Sequence, residues 1–137
     1  MVDKPKRLEA AKVIEDFFAC RMTNFQYSDR YPRSPHDPAL FAIHTALWFT
    51  YSDVREHRMD RKHALSNEWK RLVDQCVLFL KTENEYHGPK SFVSWSAPFK
   101  RIWRWLRHES PPEVIGPAWP FDNAEQMKAA RNSAPRP

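Results

Sequence analysis

The chain has 137 residues, the size of one domain, and a net charge of +5. Its two glycines exclude glycine-rich phosphate loops and argue against sandwiches and barrels, and no apolar run is long enough to cross a membrane. Both cysteines, Cys20 and Cys76, fall in predicted helices, so we expect buried, reduced thiols and no cysteine-ligated zinc site. The charged N-terminus does not resemble a signal peptide, and the expected location is cytoplasmic.

The first predicted helix runs from about Lys6 to Met22, with Asp3 as its N-cap and Pro5 in its first turn. An apolar stripe at three- and four-residue steps supports it: Leu8, Ala11, Ile14, Phe18 and Met22. Residues 27–38 contain three prolines and no apolar period, which predicts a loop. A second helix is predicted to begin at Asp37 and Pro38, and its sequence indicates the most deeply buried helix of the chain.

The segment 53–63 is almost wholly charged, and the sequence is compatible with a helix or with a polar loop. In a helix, one face would hold Asp53, Glu56, His57, Asp60 and His63. Such a face could hold a divalent metal ion or supply acid–base chemistry. Ion pairs along a solvated helix explain the same pattern, and we adopt that interpretation and expect no metal site.

Two further helices are predicted in the second half of the chain. A heptad-like apolar stripe predicts the third helix from about Leu65 to Asn84. Ser96 can cap a fourth helix that runs to about His108. Four prolines between 111 and 120 exclude a regular helix there, and Asp122 can cap a short, weak helix through Ala130.

The sequence therefore predicts an all-α, single-domain helical bundle of four main amphipathic helices over residues 1–110. Residues 111–137 are predicted to form an extended proline-rich strap and a weak terminal helix, both packed on the same domain. In this strap, Trp119 and Phe121 are expected to pack on the chain's own bundle; an alternative is that they anchor in a partner's groove.

The positive charge is concentrated in one part of the chain. Residues 86–108 contain five lysines and arginines and no acidic residue, which equals the entire net charge of +5. On the predicted fourth helix, one arc is apolar and the opposite arc is basic. The candidate contact residues are on or beside the basic arc: Lys90, Lys100, Arg101, Arg104, Trp105, Arg107 and His108.

An unneutralised basic face indicates a polyanion partner, because binding to phosphates releases counterions. Trp105, at the flank of this face, could stack on an unpaired base, which favours single strands or RNA. We therefore expect non-catalytic binding of nucleic acid, with no cofactor and no contact with a membrane. The first alternative is an interaction or inhibitor protein that binds an acidic protein surface, and a basic face can also be merely solvated.

A second alternative is catalytic. Three Arg–His pairs have four to six intervening residues: Arg58–His63, Arg101–His108 and Arg30–His36. This spacing on a helical bundle resembles that of the HEPN ribonucleases, in which His transfers protons and Arg stabilises charge on phosphate. However, Met59, Ile102 and Tyr31 occupy the place where that family has a polar residue, and chance alone produces about two such pairs in this composition.

Overall fold

The computed structural model of this chain describes residues 1–51, 54–89 and 115–135. They form five α-helices: α1 (Lys4–Phe18), α2 (Asn24–Arg30), α3 (Pro38–Trp48), α4 (Asn67–Leu80) and α5 (Ala124–Ser133). The 3₁₀ turn Arg61–His63 precedes α4, and these ranges contain no strand. The described part of the chain is therefore all-α, as the sequence predicts. The fourth main helix of the predicted bundle, from Ser96 to about His108, lies outside the described residues.

Side-chain caps start the helices at the positions where the sequence carries the signal. In α1, Asp3 accepts a hydrogen bond from the main-chain N–H of Lys6, which confirms the predicted cap. The helix ends at Phe18, four residues before the predicted Met22. Cys20 has a φ of 62°, a left-handed conformation that no helix interior accepts, so its predicted helical placement is wrong.

Helix α2 lies partly inside the segment that the prolines predict as a loop, so the loop prediction is wrong for residues 27–30. The reason is a capping box: the Thr23 hydroxyl accepts from the Gln26 N–H, while the Gln26 side chain accepts from the Thr23 N–H. Tyr27 then fastens this short helix to the core, since its ring stacks on Phe17 at 4.5 Å.

Helix α4 contacts α1, α3 and α5, and α1 also contacts α2. Its cap is Ser66, which accepts from the Trp69 N–H, and it ends at Leu80 rather than at the predicted Asn84. Residues 38–51 contain no Asp, Glu, Lys or Arg, and α3 is buried along most of its length, as its sequence indicates. The fully buried apolar side chains from three helices include Ala10, Ile14, Phe17, Ala42, Ile43, Leu47, Cys76, Phe79 and Leu80.

A buried ion pair joins the start of α1 to the start of α3. Arg7 donates from Nε to Oδ2 of Asp37 at 2.6 Å and from Nη2 to Oδ1 at 3.0 Å, and neither side chain is exposed. The remaining guanidinium nitrogen, Nη1, donates to the Asn84 carbonyl, and the guanidinium lies 5.0 Å from the centre of the Phe79 ring. The sequence identifies Asp37 as a helix cap, which the structure confirms, but not as the partner of Arg7.

In the described ranges, no helix combines the length and the apolar character needed to cross a bilayer.

Candidate functional site

The seven predicted contact residues lie in the segment 90–114, outside the described residues. They are Lys90, Lys100, Arg101, Arg104, Trp105, Arg107 and His108. The structure does describe the residues on both sides of this segment, 86–89 and 115–122.

Tyr86, before this segment, and Trp119, after it, form a buried aromatic pair. The Tyr86 hydroxyl donates to the carbonyl of Pro89 at 2.5 Å and accepts from Trp119 Nε1 at 3.0 Å. The two rings meet edge to face at 6.4 Å, and Tyr86 also meets the Phe79 ring of α4 edge to face. Burial is the main cause that raises the pKa of the Tyr86 phenol, so it remains a neutral donor near neutral pH.

The residues after this segment lie against α4. Gln75 Nε2 donates to the carbonyls of Pro117 and Trp119, at 3.2 and 3.0 Å. Phe121 meets Phe79 edge to face at 5.2 Å, and Ile115 is buried with them. Trp119 and Phe121 thus pack on the chain's own helices, as expected from the sequence. The residues between 117 and 120 form turns, so this part of the predicted strap is not extended.

A hydrogen bond links the two ends directly, since His87 Nδ1 lies 2.8 Å from a carboxylate oxygen of Asp122. The residues before and after the segment 90–114 are therefore fixed to each other and to α4. We call this group the α4 anchor: Gln75, Phe79, Tyr86, Trp119 and Phe121. Sequence reasoning missed Gln75, because the apolar stripe that locates α4 omits polar side chains.

The segment from 54 to 60 belongs to no helix, and Arg61–His63 is a 3₁₀ turn. The helical face proposed for 53–63 therefore does not form over the described part, and Asp53 lies outside it. No group of three or more His, Cys, Asp or Glu among the described residues is arranged to hold a metal ion. The described part of 53–63 is therefore a loop, one of the two structures, helix or polar loop, that are compatible with its sequence.

This loop is fastened to the start of α2 by main-chain hydrogen bonds. The buried Asn24 side chain accepts from the His57 N–H at 2.8 Å and donates to the Arg55 carbonyl at 3.1 Å. The Asn24 N–H donates to the His57 carbonyl at 3.0 Å. The Thr23 hydroxyl also donates to Glu56, at 2.6 Å.

Two histidines of the predicted face do meet, though not as metal ligands. The rings of His57 and His63 stack with their centres 3.7 Å apart and their planes 12° apart. The pKa of His63 is lowered from its ordinary value of 6.5, first by burial and then by the charges of His57 and Lys62, and Asp60 opposes the shift.

Two of the three Arg–His pairs lie in described residues. Arg58 donates to the carbonyl of Cys20, while His63 stacks on His57. Arg30 lies in the last turn of α2, and the carbonyl of His36 accepts from the chain's terminal amine. Arg101–His108 lies outside the described residues.

Burial keeps one thiol and two tyrosines of the described residues protonated. Burial raises the pKa of the Cys76 thiol far above its ordinary value, so the thiol stays protonated and unreactive. Burial likewise raises the pKa of Tyr27 and Tyr31. Cys20 and Cys76 are both free, as expected, although Cys20 is only half-buried.

A groove of about 650 Å³ lies between α1 and α4. Its apolar lining includes Phe18, Val73 and Val77 from the helices, Met59 from the 54–63 loop, and Leu65 just after that loop. The charged side chains at this groove are Glu15, Arg21, Lys70 and Asp74. The groove is thus lined by apolar side chains and by charges of both signs.

Comparison of the chain with protein-family models, with curated proteins and with solved structures finds no match.

Proposed function

We propose that this chain is a non-catalytic, cytoplasmic binding protein whose partner is nucleic acid, as RNA or as a single strand. In this proposal, a fourth main helix over about 96–108 presents Lys100, Arg101, Arg104 and Arg107 to phosphates, with Lys90 and His108 beside them. The proline-rich residues after 110 act as a strap that leads the chain back to the bundle.

The observation that carries the proposal is the separation of charge along the chain. The described residues contain sixteen lysines and arginines against fourteen aspartates and glutamates, and are close to neutral as a group. The five basic residues of 86–108 have no acidic neighbour in sequence. Since phosphate binding gains free energy from counterion release, a local excess of this kind favours a polyanion.

The α4 anchor supports this proposal from the described side. Hydrogen bonds from Tyr86, Gln75 and Trp119 hold both ends of the segment 90–114 at one place on α4. A binding segment fixed at both ends loses less conformational entropy on binding than one attached at a single end. The anchor thus favours a preorganised contact segment.

The aromatic residues of the segment favour unpaired bases over duplex DNA. Trp105 stands among arginines in the sequence, and an indole beside guanidinium groups can stack on an exposed base while the arginines contact the backbone. Base stacking of this kind contributes about 1–3 kcal/mol per base.

The test is fluorescence anisotropy of labelled single-stranded RNA, single-stranded DNA and duplex DNA at several salt concentrations. We expect the logarithm of the affinity to fall linearly with the logarithm of the salt concentration. Arg101→Glu with Arg104→Glu should weaken binding at least about 100-fold, because two phosphate contacts become repulsive. Trp105→Leu should reduce the preference for single strands over duplex.

The matched control is Arg71→Glu with Lys128→Glu, which changes the net charge equally at two exposed positions. This variant should bind within about threefold of the parent, since only long-range steering changes. Equal losses in both double variants, or no binding of any probe at low salt, would overturn the proposal. A complex that survives nuclease treatment would instead indicate an acidic protein partner, and cleavage of the RNA probe would indicate the ribonuclease alternative.

A further inference from the structure

The stacked histidines of the 54–63 loop carry a second inference, independent of nucleic-acid binding. His57 Nδ1 lies 3.1 Å from the carbonyl of Arg58, and because a carbonyl can only accept, Nδ1 carries the proton. In the neutral ring, Nε2 is then unprotonated. This atom is buried and has no hydrogen-bond partner.

Protonation of either neutral ring is unfavourable for three reasons. On His57 it would create a buried N–H donor with no acceptor, which is costly. On His63 it would place a charge against a partly buried ring whose centre is 3.7 Å from that of His57. Two protonated rings at this separation would also repel each other.

Most charges close to the pair have the same sign. The loop itself contributes four exposed cations, Arg55, Arg58, Arg61 and Lys62, against two exposed carboxylates, Glu56 and Asp60. On the side of α1, Arg21 is paired with Asp16, and the α2 side presents the neutral Thr23 and Asn24. Across the groove, α4 contributes Lys70 and Asp74, one charge of each sign. The surroundings therefore do not compensate for an imidazolium charge.

The stacked rings hold two parts of the 54–63 loop together, and this loop is hydrogen-bonded to α2. His57 lies where the loop meets Asn24, and His63 lies where the loop turns toward α4. Between them, Met59 is buried and lines the groove between α1 and α4. Separating the rings would therefore loosen both the attachment to α2 and the part of the groove lined by Met59.

We propose that the His57–His63 stack is a pH-sensitive latch. Protonation in mildly acidic solution separates the two rings, releases the 54–63 loop from the start of α2, and opens the groove between α1 and α4. Above neutral pH the His63 ring is neutral, and the latch is closed.

The test is hydrogen exchange of the full chain at pH 7.5 and at pH 5.0, followed at the amides of Asn24 and His57. These two amides form the hydrogen bonds between α2 and the loop. After correction for the intrinsic exchange rate, we expect their protection to fall at least about tenfold at the lower pH. Protection of the Leu40 amide, at the start of α3, should stay the same.

The decisive variant is His63→Phe, which keeps an aromatic ring in the stack but cannot take a proton. Its two amides should keep their protection at pH 5.0, whereas the control His36→Phe, at an exposed position, should behave as the parent. If the parent keeps full protection at pH 5.0, or if His63→Phe loses protection as the parent does, the latch is ruled out.

A second measurement tests the proposal even if His63→Phe does not fold. An NMR titration of the parent should show the His63 ring signal and the Asn24 and His57 amide signals shifting with one common midpoint below pH 6.5. Separate midpoints for the ring and the amides would overturn the proposal.

Discussion

Polar groups fasten a connecting segment to a helix at two places in this molecule, and they do so in opposite ways. At the start of α3, the carboxylate of Asp37 accepts four hydrogen bonds: two from Arg7 and one each from the N–H groups of Asp3 and Ala39. At the start of α2, Asn24 holds the main chain of the 54–63 loop, but the adjacent His57 ring keeps a buried nitrogen without a partner.

The difference shows which junction persists when the pH changes and which depends on the protonation state of a side chain. A buried charge whose partner and hydrogen bonds are all present is stable over the whole range in which both groups stay ionised. A buried nitrogen without a partner tolerates one protonation state only. The Arg7–Asp37 junction therefore fixes the fold, while the Asn24–His57 junction responds to conditions.

The largest expected effect comes from breaking the first junction. Arg7→Met removes the guanidinium and leaves the Asp37 carboxylate buried without its cation, so we expect a loss of about 3–5 kcal/mol in the free energy of unfolding. Urea unfolding followed by circular dichroism measures this loss. Protection of the His57 amide should fall only as far as global stability does.

Lys6→Met is the matched control for that variant. Lys6 lies beside Arg7 in α1 and also pairs with a carboxylate, but the side chains of Lys6 and its partner Glu9 are 45% and 52% exposed. Exposed pairs of this kind contribute about 0–1 kcal/mol. A comparable loss in Lys6→Met would contradict the assignment of the Arg7–Asp37 pair as the element that fixes the fold.

The second junction is broken by Asn24→Ala. This change removes the acceptor of the His57 N–H and the donor to the Arg55 carbonyl, so we expect a loss of about 1–3 kcal/mol. Here the local effect should exceed the global one, with the His57 amide losing most of its protection. Asn67→Ala, at an exposed position in α4, should change stability by less than about 0.5 kcal/mol. Equal protection in Asn24→Ala and the parent would show that Asn24 does not hold the loop.

The sequence predicts the first of these junctions better than the second. The caps Asp3 and Asp37 are local signals, because each acts within three residues of its own position. The same local logic, applied to Thr23 and Gln26, would have found α2, but the prolines that follow dominate that prediction. Local rules do not reveal that Arg7 reaches Asp37 across 30 residues, because such a pair depends on how α1 and α3 pack.

The candidate sites show the same limit. The spacing of Glu56, His57, Asp60 and His63 is informative only if 53–63 is helical, and in the described part it is a loop held by the distant Asn24. Helical periodicity does not predict that the ring of His57 stacks on the ring of His63. The charge excess of 86–108, in contrast, is visible in sequence because it depends on composition and not on packing.

The smallest expected effect is the pH dependence of stability, which separates the two junctions. The pKa of His63 is lowered in the folded state, so its contribution to stability is present above about pH 6.5 and is lost as the pH falls through the folded pKa.

Burial acts to raise the pKa of Asp37, but hydrogen bonds from Arg7 and from the Asp3 and Ala39 amides lower it on balance. That contribution is present above about pH 4 and is lost only at lower pH. Urea unfolding in steps from pH 7.5 to 2.5 should therefore show two declines, and His63→Phe should lack the upper one. The hydrogen bond from Arg21 also lowers the pKa of Asp16. The variant Asp16→Asn is therefore the control that shows how much of the lower decline comes from Asp16 and how much from Asp37. A His63→Phe curve that runs parallel to the parent between pH 7 and 5 would mean that both junctions are insensitive to imidazole protonation, and that the difference between them lies in burial alone.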